Sequence, residues 1–293
     1  MRRNRRIFTL GFAAATCLAF LAPATASAQL SPISTGNILE GAPIFGPSAL
    51  VLPRGGLSLG SDFHYILIDE NEFLGDDADV DIHAIQATGN VAFGVTDRIM
   101  VGANVPYGRF SAESGGEEES ESGLLDIDVF AVAQLFRTAD TRTMLSGFFD
   151  VALPTTDNDF FGSDIEVDRD PSYSVGAAVT HRASRASLHG SAAYLIGGNA
   201  TFETDLATFE IEGQDAVRVT GAALFGLADR VRADGEVLVH IPVGDAEGDT
   251  ETTVAGGLRF LATTDLFFDA GVSVPVSDSV ISAGLLLGAT WTR

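Results

Sequence analysis

The chain has 293 residues, with 40 acidic side chains against 17 basic ones and a formal net charge of −23. Such a balance repels nucleic acid and anionic lipid, and a single cysteine leaves neither an internal disulfide nor a thiolate metal cluster. High charge alone points to disorder, but 46% of residues are hydrophobic and 32 are glycine, so the charge must be gathered between apolar runs.

Arg2, Arg3, Arg5 and Arg6 open the chain as a basic region. An apolar stretch from Ile7 to Leu21 follows, and Ala26, Ser27 and Ala28 form a small-residue cleavage site. This is the order of a secretory signal peptide, residues 1–28. Cys17 lies inside it, and Ala14, Ala15 and Thr16 before it lack the leucine of a lipoprotein signal. The mature chain then has no thiol and no lysine, and its 13 arginines against 40 acidic residues leave a formal charge of −27. No later apolar run reaches the ~20 residues of a membrane helix. An exported chain can still cross a membrane if its strands close into a barrel. Residues 29–56 are rich in Gly, Pro and Ser and come before the first strand. They form either a periplasmic tail or a small plug inside the lumen.

From Leu57 the chain alternates with a period of two. In the first strand Leu57, Leu59, Phe63, Tyr65 and Leu67 point one way, and Ser58, Gly60, Asp62 and His64 the other. Further strands begin near Ile85, Ile99, Leu125, Leu145, Tyr173, Leu188, Val217, Val231, Val254, Leu266 and Ile281. Short turns at 96–98, 137–142, 181–185, 228–230 and 263–265 alternate with segments 68–80, 108–123, 155–172, 198–215, 244–251 and 277–280. The spacing predicts an all-β fold: a transmembrane antiparallel up-and-down β-barrel of about 12 strands over 57–293, with short periplasmic turns and long extracellular loops. Upward strands end near Pro106, Pro154, Pro242 and Pro275, where a missing ladder donor is tolerated. Residues 200–212 alternate again and extend the seventh and eighth strands above the membrane.

The aromatic residues fall into two girdles. Tyr65, Tyr107, Tyr173 and Tyr194, which are all the tyrosines, have outward parity at the outer strand ends. Phe93, Phe225, Phe260, Phe268 and Trp291 have outward parity at the inner ends. A secreted β-sandwich requires neither girdle.

Inward parity gathers Asp62, His64, Asp126, Asp128, Asp150, Asp234, Glu236 and Asp269 with Arg218, Arg232 and Arg259. The three arginines fall on adjacent strands, and Asp126, Asp128 and Asp150 lie across the barrel from them. Opposed charges can orient a polar solute, or they can pair locally and fill a narrow lumen. The remaining acid lies in loops, with Asp69, Glu70, Glu72, Asp76, Asp77 and Asp79 in one and Glu117, Glu118, Glu119 and Glu121 in the next. These loops either stay solvated or meet lipopolysaccharide through divalent ions. Asp157, Asp159, Gly162 and Asp168 match a calcium loop only loosely, so no metal site is assigned. No Ser, His and acid set has diagnostic spacing, so no catalytic residue and no cofactor are expected.

Three runs carry a family resemblance: Gly94 to Pro106, Gly123 to Val129, and Val151 to Asp157. They resemble the outer-membrane family called MetA-pathway of phenol degradation. Leu125 and Thr156 stand where its patterns have glycine. The resemblance implies a β-barrel channel or transporter for small molecules, hydrophobic or aromatic ones among them, and brings no catalytic residues. The partners it implies are outer-membrane lipid and lipopolysaccharide, the barrel assembly machinery and a small solute, with the chain a monomer that takes no nucleic acid. The alternative is a structural or adhesive surface barrel with acidic loops and a closed lumen.

Overall fold

A computed structural model describes residues 39, 41–68, 80–114, 117–156, 165–204, 208–244, 249–277 and 281–293. Among the described residues sixteen strands are formed: β1 (Leu57–Ile68), β2 (Val80–Thr96), β3 (Ile99–Ser114), β4 (Glu117–Leu124), β5 (Ile127–Arg137), β6 (Thr143–Leu153), β7 (Ile165–Arg169), β8 (Ser172–Arg182), β9 (Ala186–Ile196), β10 (Ala200–Thr204), β11 (Thr208–Ile211), β12 (Ala216–Ala228), β13 (Val231–Pro242), β14 (Glu251–Leu261), β15 (Leu266–Pro275) and β16 (Ile281–Thr292). Each barrel strand pairs antiparallel with its neighbour, and β1 pairs with both β2 and β16, so the barrel strands form a closed ring. The result is a 12-stranded barrel in which β4 continues β5 upward along β3.

The burial pattern is inside out. Leu59, Phe63 and Leu67 of β1 are exposed while Ser58, Asp62 and His64 are buried. The same inversion holds in β5, where Val129 is exposed and Asp128 and Gln134 are buried, and in β16, where Leu285 and Leu287 are exposed and Thr290 is buried. An apolar outer band over a polar interior suits lipid outside and a lumen inside. It is the wrong way round for a protein surrounded by water.

Three of the short-turn hairpins share a device. The β2–β3 ladder shifts between Gly94 and Thr96, and the β12–β13 ladder shifts between Gly226 and Ala228. Each shift leaves one extra residue, Val95 or Leu227, exposed on the outer face. Asp97–Arg98 and Asp229–Arg230 then form two-residue turns. The β5–β6 hairpin carries the same shift, between Gln134 and Phe136.

Three segments differ from the expected loops. Residues 108–123 are largely a ribbon, with β3 reaching Ser114 and β4 starting at Glu117, because the period-two pattern persists past the membrane. The segment 155–172 contains β7. The segment 200–212 forms β10 and β11, which join β7 in a separate three-stranded sheet rather than lengthening β9 and β12.

Residues 41–52 lie inside the barrel. Ala42, Ile44, Ala49, Leu50 and Leu52 are buried and touch inward residues of strands all round the ring. Leu39, Leu50 and Leu52 share an apolar cluster with Met100, Phe130, Val132, Met144 and Phe148. Gly94 lets the root of this segment pass: a Cβ there would lie 1.9 Å from the Pro53 carbonyl oxygen. Residues 1–28 and 29–38 fall outside the described residues.

Candidate functional site

The site is the lumen together with the segment that fills it. That segment has no strand ladder of its own from 41 to 53, so its backbone groups need partners from the wall. The β13 carboxylates supply two. Ile44 N–H donates to Asp234 Oδ2 at 2.8 Å, and Phe45 N–H donates to Glu236 Oε1 at 2.7 Å. Two hydroxyls from the far side hold Ala49: its N–H donates to Thr180 Oγ1 at 3.0 Å, and Ser146 Oγ donates to its carbonyl at 2.9 Å. Thr180 Oγ1 also lies 2.9 Å from His189 Nδ1, which orients the hydroxyl.

Arg259 ties the upstream turn. Its guanidinium binds Asp269 through two bonds of 2.6 and 3.1 Å, and its Nη1 donates to the carbonyls of Leu39 and Ala42, both at 2.9 Å. The same guanidinium stacks over Phe267 at 4.4 Å. Arg259 and Asp269 face each other in the β14–β15 register, so the sheet itself presents the pair. Both side chains are almost fully buried. A buried pair of this kind is tolerated because its remaining donors find carbonyls. Here those carbonyls belong to the luminal segment.

Of the sequence-predicted lumen residues, Asp62, His64, Asp128, Arg218, Asp234, Glu236, Arg259 and Asp269 are buried and face inward, while Asp150 and Arg232 are half-buried. Asp128 and Asp150, on β5 and β6, act electrostatically on Arg218 of β12. The charges therefore divide into two sets. Asp234, Glu236, Arg259 and Asp269 lie at the luminal segment, while Asp128 and Asp150 act on Arg218.

Asp126 departs from the expectation. It sits between β4 and β5, outside any ladder, and turns to the outer rim. Arg169 of β7 clamps it at 2.8 and 2.6 Å, and Thr156 Oγ1 donates to it at 2.8 Å. The break in pairing at Leu125 and Asp126 rotates its side chain out of the alternation that parity assumes. Sequence reasoning missed Ser146 and Thr180. Both have inward parity on their strands, but nothing in the sequence sets them apart from other small polar wall residues.

The outer tyrosines reach polar groups. Tyr107 Oη donates to Ser122 Oγ at 3.2 Å and Tyr194 Oη to Asp215 Oδ2 at 2.6 Å, while Tyr173 stacks with Phe149. Tyr65 packs with its ring against His83. At the other end Phe93, Phe225, Phe260 and Phe268 are exposed, Phe260 and Phe268 are cross-strand partners, and Trp291 is half-buried beside Leu59.

A family profile described as MetA-pathway of phenol degradation matches residues 77–290, nearly the whole barrel. The chain belongs to this family. The similar solved structures are distant in sequence from this MetA-pathway chain. An outer membrane channel from Pseudomonas putida F1 superposes with a TM-score of 0.61 at 12% identity, covering 83% of this chain and 97% of that one. A FadL homologue of Pseudomonas aeruginosa gives 0.50 at 13%, covering 89% and 96%. A monoaromatic hydrocarbon channel, CymD, gives 0.50 at 10%, covering 90% and 98%. No curated protein matches the sequence. Fold and family together make this MetA-pathway chain an outer-membrane β-barrel of the Gram-negative envelope.

Proposed function

We propose that the chain is a passive outer-membrane channel for small hydrophobic molecules, closed at rest by residues 41–52. One observation carries this reading. The filling of the lumen is a separate segment, held over residues 41–53 by side-chain to backbone hydrogen bonds, whereas the wall is held by a continuous ladder. The closure can therefore leave without unfolding the barrel. The likeness to an outer membrane channel and to CymD, a monoaromatic hydrocarbon channel, supports the solute class.

In this reading the luminal charges are not catalytic. Asp128, Asp150 and Arg218 line the path and bias it, and the two aromatic girdles seat the barrel in lipid and lipopolysaccharide. The chain is exported by its signal peptide, inserted by the barrel assembly machinery and works as a monomer.

The test is planar-bilayer conductance of the purified protein, intact and with residues 41–52 deleted. The deleted form is expected to pass a larger, cation-preferring current. Silence in both forms ends the channel reading. It would favour the second one, a surface barrel with a closed lumen, which the three-stranded sheet beside the barrel supports as an added platform.

A further inference from the structure

The wall of β13 to β16 has a dent that its own side chains do not fill. Gly257 and Gly271 are cross-strand partners with inward parity, and Leu286 is the partner of Gly271 on the next strand. A Cβ built on Gly271 would meet the Phe45 ring at 2.9 Å, and one on Gly257 would meet Ile44 Cδ1 at 2.7 Å. The dent is closed by Ala255, Leu286 and Leu238, which cluster with Ile44 and Phe45. The Phe45 ring is 8% exposed there. At the edge of the dent, Glu236 Oε2 is buried near the Asp234 carboxyl, and it would lie 3.0 Å from a Cβ on Gly46.

Paired glycines leave an apolar space on β14 and β15, next to the buried Arg259–Asp269 pair. The space is complementary to a single six-membered ring, since one occupies it. Most small solute sites are concave and apolar with a few placed polar groups. We infer that the Phe45 seat is the solute site of the lumen, and that the chain's own phenyl ring stands in it as an internal competitor for a monoaromatic hydrocarbon. This rests on the channel reading above. It adds a consequence: solute and closure compete for one place, so the solute itself favours the displaced state of residues 44–46.

The probe is toluene, added to detergent-solubilised full-length protein, with binding read by saturation-transfer NMR and by titration calorimetry. Phe45→Ala empties the seat and is expected to bind toluene at least tenfold more tightly than wild type. Phe45→Leu partly refills it and should fall between. Phe45→Ala combined with Gly271→Leu, which fills the seat from the wall, should lose the gain. Heat-modifiable migration checks that each variant remains a barrel. If folded Phe45→Ala binds toluene no better than wild type, the inference is overturned. If Gly271→Leu fails to fold, Phe45→Ala against Phe45→Leu still decides it, since equal affinities overturn it too. Toluene flux into vesicles separates the two readings. Flux without tighter binding by Phe45→Ala keeps the channel and removes the seat; tighter binding without flux keeps the seat and removes the channel.

Discussion

Arg259 shows how much one luminal side chain can carry. It neutralises Asp269, caps two carbonyls of the luminal segment and covers Phe267. Truncating one member of a buried pair strands the other charge, at a cost of about 3–5 kcal/mol. Arg259→Ala is therefore expected to lower the denaturant midpoint and raise single-channel conductance together. If the midpoint falls and conductance does not rise, the guanidinium braces the wall but does not hold the closure. The turn at 138–143 offers a test outside the membrane. Thr141 has φ of 58°, which a β-branched residue adopts at about 1–2 kcal/mol. Thr141→Gly should stabilise the barrel by a fraction of that, read as a higher urea midpoint. Next to it, the Asp140 carboxyl is held below its usual range, first by the Thr138 hydroxyl and then by the Arg142 amide. A lowered folded-state pKa means that this support is present above the unfolded value and lost as pH falls through the folded one. An NMR titration should show Asp140 moving back up in Thr138→Val.

At the scale of elements, alternation was enough to place the barrel strands, because each strand has one face in lipid and one in the lumen. It failed where a strand leaves that two-sided setting. Asp126 has the right parity but sits at a ladder break, and the ribbon at 108–123 keeps a strand pattern without a membrane beside it. Gly94–Ile99 and Gly226–Val231 each have a glycine followed three residues later by Asp-Arg; that both encode the same bulge is not legible in one chain segment, since a bulge is a property of two strands. The luminal segment was the hardest to read. It has no period, and its anchors Ser146 and Thr180 are ordinary wall residues until a backbone arrives beside them. Its root is nonetheless set by one residue, Gly94. Gly94→Val would drive a side chain into the Pro53 carbonyl and should displace the segment, raising conductance while heat-modifiable migration persists. Unchanged conductance would show that the root bends without releasing the rest.

For the whole molecule, the separation of charge matters more than its total. Asp126 is held at the rim by Arg169, while Asp128 and Asp150 act on Arg218 inside. Replacing both with asparagine is expected to lower cation preference several-fold in reversal-potential measurements on the segment-deleted protein. An unchanged ratio would assign selectivity to the loops.

The anchors of the luminal segment also sit far apart on the ring. Ser146 and Thr180 are on β6 and β8, while Asp234, Glu236 and Arg259 are on β13 and β14, several strands away in both directions. A closed ring of strands resists stretching but is easily squashed into an ellipse. A member fastened to nearly opposite walls acts as a strut and fixes the cross-section. Removing it leaves a more open ring and also a softer one, so the lateral pressure of the bilayer would help to set the bore of the emptied barrel.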